Sequence, residues 1–165
     1  MPPPSQSRPV RFTATLALLA VLWTGISVAG SARAAAPIPL QLNKLEALAE
    51  GGTGCRAYFV VSNPDTTPIQ QLRLDLVVFG TDGVIARRVA LDFGPLSAGK
   101  TAVRPFDLPD LACDSIGHVL ANDVLSCQVG GQASGSQGTA PADQERQGCL
   151  ERLTVSSRAK AELTK

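Results

Sequence analysis

The chain is poor in the residues that most enzyme chemistry requires. Among its 165 residues there is a single histidine, His118. One histidine excludes a site built from several imidazoles and leaves a Ser-His-Asp arrangement only one base. With Ile116 and Val119-Leu120 around it, His118 reads as a residue in or beside a strand. No Gly-x-Ser-x-Gly elbow marks a nucleophile. No Asp-x-Asp-x-Asp-Gly loop marks a calcium site. No Cys-x-x-Cys pair is present, which argues against a thioredoxin-like site. No cysteines stand close enough for the paired ligands of a structural zinc. No catalytic residue, metal ligand or cofactor is therefore assigned. A small exported hydrolase using His118 with Asp114 or Asp123 is the competing function class. Aromatics make up only 4% of the chain, so Val, Leu and Ile are expected to fill the core. There are no heptads and no internal repeats of domain-building length.

Acidic residues are also missing from the first 45 positions, and so from all of the first 34. There Arg8 and Arg11 precede an apolar or small run from Phe12 to Gly30, and Ser31-Ala32-Arg33-Ala34 follows. A positive n-region, an apolar stretch and a small-x-small site define a secretory signal peptide. The expected cut is after Ala34, with residues 1–34 as leader. Pro9-Val10 separate the two arginines, so the twin-arginine pattern is absent. No cysteine follows the run to take a lipid. An uncleaved leader anchoring an envelope component is the alternative, since such a run is just long enough to span a bilayer. Thr13, Thr15, Thr24 and Ser27 interrupt it and favour cleavage.

Cleavage changes what the rest means. Twelve cationic residues remain against 14 acidic ones, a net charge of −2. A weakly acidic domain has no electrostatic footprint for nucleic acid. Residues 35–165 suit a single domain. Its localisation is read as periplasmic or secreted, with no stable membrane insertion after cleavage. Cys55, Cys113, Cys127 and Cys149 then read as two disulfides, with three possible connectivities. Cys55–Cys113 with Cys127–Cys149 is preferred. The first ties an early strand to a late loop, and the second closes a polar segment.

The mature pattern is β-rich. Ile38, Leu40 and Leu42 alternate with Pro39, Gln41 and Asn43, and the later run Leu72, Leu74, Leu76 and Val78 with Arg73, Asp75 and Val77. Cys55 to Ser62 is rich in strand formers. Asp82-Gly83 separates two β-rich runs and predicts a hairpin, with Ile85, Val89, Leu91 and Phe93 on one face, interrupted by Arg87. Arg87 and Arg88 then point to opposite sides. Thr101 to Leu108 is a strand, and Pro105 marks it as an edge or a bulge. Ile116 to Cys127 holds one strand, bent at Asn122-Asp123. Residues 128–147, rich in Gly, Ser, Gln and Ala, read as a flexible loop. Leu150, Leu153 and Val155 suggest a last short strand before a polar tail from Ser157. Gly52-Thr53-Gly54-Cys55-Arg56-Ala57 matches a dinucleotide fingerprint in letters only, because a β-rich run follows it instead of a helix. Asp75, Asp82, Asp92, Asp107, Asp110 and Asp114 read as sheet-surface and turn residues. The short strands with frequent turns predict an all-β fold, an antiparallel β-sandwich.

From Leu72 to Phe106 the order is alternating Leu, an Asp-Gly turn with Val84-Ile85, a further strand, then Gly94-Pro95-Leu96-Ser97-Ala98-Gly99-Lys100 before a strand carrying Phe106. A strand ending in Asn63 and a Pro/Asp/Thr loop precede it. This stretch resembles the FxLyD-like and other immunoglobulin-like modules of bacterial envelope proteins. The whole layout is similar to a group of uncharacterised exported bacterial proteins. The resemblance implies an immunoglobulin-like sandwich and a non-enzymatic binding or scaffolding role, with a protein partner in the envelope. Thr101–Leu108 is the candidate strand for edge pairing with that partner. N-terminal sequencing of protein recovered from the envelope is expected to start at Ala35; a start at Met1 would mark a retained anchor.

Overall fold

The structure is a computed structural model that describes residues 35–48, 54–130 and 142–165. The expected leader, residues 49–53 and the central part of the expected loop lie outside the described residues. In chain order the elements are β1 (Ile38–Ala47), β2 (Cys55–Asn63), β3 (Ile69–Gly80), β4 (Ile85–Asp92), β5 (Lys100–Leu108), β6 (Ile116–Val129), α1 (Ala142–Arg152), β7 (Leu153–Ser157) and β8 (Glu162–Thr164). A single 3₁₀ turn, Cys113–Ser115, precedes β6.

Two four-stranded sheets pack face to face, one in the order β5-β2-β1-β7 and the other in the order β4-β3-β6-β8. The β-sandwich expected from the alternating pattern is present. The pairs β1–β2, β2–β5, β3–β4 and β3–β6 are antiparallel, but β1–β7 and β6–β8 are parallel. Parallel neighbours need a crossover instead of a hairpin. For β6–β8 the connection runs through α1 and through β7 of the other sheet.

The period-two runs build the core. Ile38, Leu40 and Leu42 of β1 and Leu72, Leu74, Leu76 and Val78 of β3 are all buried. Aromatics are few, yet three of them meet at its centre. The Phe93 ring lies 5.4 Å from Phe59 and 5.1 Å from Phe106, in edge-to-face contacts. Such pairs contribute beyond their buried area. Asn63, also buried, ends β2 by donating to the Thr67 carbonyl at 2.9 Å and to Leu96 and Ser97 at 3.3 Å. It thereby ties the β2–β3 loop to the β4–β5 loop.

Both preferred disulfides are formed, Cys55–Cys113 and Cys127–Cys149. The expected flexible loop 128–147 is corrected at both ends: Gln128 and Val129 belong to β6, and residues 142–147 begin α1. Leu150 likewise lies in the helix instead of a strand. This helix left no apolar periodicity to read because only Cys149 of it is buried. A covalent bond to β6 holds it, where an apolar stripe would hold an ordinary surface helix. The polar tail expected from Ser157 is also corrected. The Ser157 hydroxyl donates to the Ala161 carbonyl at 2.6 Å, Ala161 and Leu163 are buried, and Lys165 reaches the Leu153 carbonyl at 2.7 Å. A three-residue strand is too short to show alternation in sequence.

Replacing Cys127 and Cys149 together by serine is expected to cost about 3–4 kcal/mol, the loop-closure value for their separation in sequence. Urea unfolding under non-reducing conditions measures it, and hydrogen exchange should quicken in α1 well before β6.

Candidate functional site

The outward face of the β4-β3-β6-β8 sheet gathers most of the chain's unusual side chains. Strand register sets their places. Asp75 pairs with Ala90 on one side and Asp123 on the other; Val77 with Arg88 and Leu120; Phe79 with Ile85 and His118. Beyond β6, Glu162 pairs with His118 and Thr164 with Leu120. Directly paired residues share a face. Three cross-strand rows therefore stand side by side on the surface opposite the core.

Asp75 corrects the expectation of a solvated sheet-surface carboxylate. It is 2% exposed, although it points away from the core. Arg88, diagonal to it across the hairpin, donates from Nε at 2.7 Å and from its terminal nitrogen at 2.8 Å. Asn122 adds a third bond at 2.7 Å. Fork-to-carboxylate geometry is the strongest ion-pair arrangement side chains make. These bonds hold the Asp75 carboxyl below its ordinary range, led by Arg88 and against the upward push of burial. Arg88 is raised in turn, chiefly by the hydrogen bonds to Asp75, with Asp123 a smaller cause. The Arg88 side chain is still 66% exposed. Its charge is thus fixed in direction while remaining open to solvent. As expected, Arg87 and Arg88 part to opposite sides; Arg87 pairs with Val78 beside a register shift.

That shift has a second effect. It inserts one extra residue into β4 and turns Ile85 from the face it was expected to share with Val89 and Leu91 to the outward one. Ile85 is 61% exposed and Val84 63%. They stand at the tip of the β3–β4 hairpin, where Gly83 takes a φ of 79° and Asp82 accepts the Val84 N–H at 3.0 Å. A cleft of about 280 Å³ opens there between Gly80, Asp82, Ile85 and Ser115. The Thr81 N–H donates to the Ser115 carbonyl at 3.1 Å and fastens the tip to the 3₁₀ turn. Gly117 permits this approach, since a Cβ there would stand 2.8 Å from the Gly80 carbonyl oxygen.

His118 lies on β6, as expected. Its ring stacks on Phe79 with centroids 5.1 Å apart, and Nε2 meets the Thr164 hydroxyl at 2.6 Å. Neither Asp114 nor Asp123 is brought to it: Asp114 is exposed in the 3₁₀ turn, and Asp123 lies in the Asp75 row. The expected bend at Asn122-Asp123 is a bulge, and it is what turns Asn122 toward Asp75. Among the described residues no group of three or more His, Cys, Asp or Glu side chains converges as a metal site would require. Thr101–Leu108 falls within an edge strand, as expected. Its Arg104 bonds the Pro95 carbonyl at 2.9 Å and the Phe93 carbonyl at 3.3 Å. An edge proline and a charge turned toward the sheet gap both oppose edge pairing.

Sequence reasoning missed Asp75, Asn122, Arg88, Phe79 and Ile85. Part of the signal was available. Counting back from the Asp82-Gly83 turn places Arg88 diagonal to Asp75, an opposite-charge pair on one face. The bulges that expose Ile85 and aim Asn122 had no such mark.

The depressed Asp75 group sets a pH dependence. Its contribution is complete above the unfolded carboxylate pKa of about 4 and is lost as pH falls from there through the lower folded value. Asp75→Asn is expected to be less stable than the parent at neutral pH, with the gap closing in acid. Urea unfolding between about pH 7 and about pH 3 measures that gap.

No family model matches the chain, and no curated protein matches it. Among solved structures, IrmA from Escherichia coli is similar at 13% identity and a TM-score of 0.46, covering 72% of this chain and 90% of that one. No residue role passes from a likeness at this level. The resemblance of Leu72–Phe106 to FxLyD-like modules therefore rests on its own sequence pattern.

Proposed function

We propose that this chain is an exported, non-enzymatic binding module of the bacterial envelope, periplasmic or secreted, that docks a protein partner on the outward face of the β4-β3-β6-β8 sheet. One observation carries the reading: Ile85, largely exposed, stands in the row beside an arginine already oriented by a buried carboxylate. Docking surfaces concentrate their energy in aromatic and arginine anchors. Phe79 and Arg88 supply both kinds here, and preorganisation lowers the entropy lost on binding. The face is preferred to the β5 edge because Pro105 and Arg104 oppose strand addition there.

The compartment has separate support. Two disulfides fit a non-reducing environment, and the first 34 residues have the pattern of a secretory leader. Among the described residues no helix is long and apolar enough to cross a membrane. The immunoglobulin-like character of the Leu72–Phe106 pattern agrees with a binding role by analogy alone.

A photocrosslinking residue placed at position 85 of the full chain, in the intact envelope, is expected to capture a defined protein at its full mass. The same probe at Val103, an exposed residue of the other sheet, should not. Capture from position 103 but not from 85 would move the docking surface. A captured protein shortened by cleavage would overturn the non-enzymatic reading.

A further inference from the structure

The two disulfides differ in what can reach them. Cys127 and Cys149 are 3% and 2% exposed. Cys55 is fully buried, but its partner Cys113 is half-buried and lines a groove of about 250 Å³. The groove runs between the β1 bulge, beside Lys44, and the connection from β7 to β8. Lys44, Arg158 and Lys160 line it, against the single carboxylate of Asp114. Lys44 is also paired with Glu46 at 2.6 Å, so Arg158 and Lys160 supply most of the uncompensated charge. Cys113 belongs to a short turn outside both sheets, and its sulfur can therefore shift without unpairing a strand.

Disulfides exchange by attack of a thiolate on one sulfur, and access decides which sulfur is attacked. Neighbouring cations favour the thiolate form and draw anionic thiols. We infer that Cys113 is a thiol-exchange site for small anionic thiols of the glutathione class. The incoming thiolate bonds to Cys113 Sγ, and the Cys55–Cys113 bond breaks. Its electron pair leaves on Cys55 Sγ, which takes up a proton from water. A second thiolate attacks the mixed disulfide at the small thiol's own sulfur, releases that thiol's oxidised dimer and leaves Cys113 reduced. Two small thiols are oxidised for each protein disulfide reduced. Among the described residues Cys127–Cys149 offers no comparable entry. The site does not depend on partner docking at the Ile85–Arg88 face.

The test treats the oxidised full chain with reduced glutathione, without denaturant, followed by acid quenching, alkylation and peptide mapping by mass. The expected result is a glutathione adduct on Cys113, with Cys55–Cys113 opening about tenfold or more faster than Cys127–Cys149. A double variant, Arg158→Glu with Lys160→Glu, both exposed positions, should slow the reaction with glutathione more than that with mercaptoethanol, whose attacking thiolate carries only the one charge on sulfur. An adduct on Cys55, earlier or equal opening of Cys127–Cys149, or no reaction at either bond would overturn the exchange site. Equal slowing with both thiols would overturn its preference for anionic thiols.

Discussion

The register of β3 between β4 and β6 is the constraint on which the rest of the structure depends. Its alternation sends Leu72, Leu74, Leu76 and Val78 inward and Asp75, Val77 and Phe79 outward. A slip of one residue would exchange the two sets. Such a slip would bring the Asp75 carboxylate into the aromatic core and push leucines into water. The apolar cost of that exchange specifies the pairing strongly. The same register then decides which side chains meet on the far face. Core formation and construction of the candidate binding face are one event seen from two sides of a sheet.

The far face is built against the usual solvation of a sheet surface. A buried carboxylate there is tolerable only because three donated bonds replace its water. The arrangement contributes direction more than net stability, since ion pairs with an exposed partner are worth little in themselves. It sets Arg88 in a fixed pose next to Val77, while the register shift in β4 turns Ile85 to the same side. The opposite sheet treats its open edge differently. On β5 the proline and the inward arginine block addition of another strand. One surface is thus prepared for contact while another is protected from it.

The two disulfides do unlike jobs. Cys55–Cys113 joins the start of β2 to the turn before β6, and so ties the two sheets together at one end. Cys127–Cys149 holds a helix that lacks an apolar face of its own. It acts together with Arg152, which bonds the Ala36 carbonyl at 2.7 Å and Asp65 at 3.2 Å, to fix α1 and the entry into β7 that follows it. A chain with few aromatics and a modest core gains from both constraints. Their unequal access follows from position, one beside an open groove and the other between β6 and α1.

The two-layer β architecture and the hairpin at Asp82-Gly83 were legible in sequence, while the edge position of β5 was one of two readings of Pro105 and the cysteine pairing the preferred one of three connectivities. Each depends on short-range alternation, turn chemistry or the spacing of a few cysteines. The secretory pattern of the first 34 residues was equally plain as a pattern. What alternation cannot express was decided by tertiary structure. Bulges move Ile85 and Asn122 to new faces, and nothing local announces an inserted residue in a ladder. A helix held by a disulfide and a strand of three residues carry no period of their own. The burial of Asp75 is a property of its neighbours, Arg88 and Asn122, which only the assembled sheet brings to it.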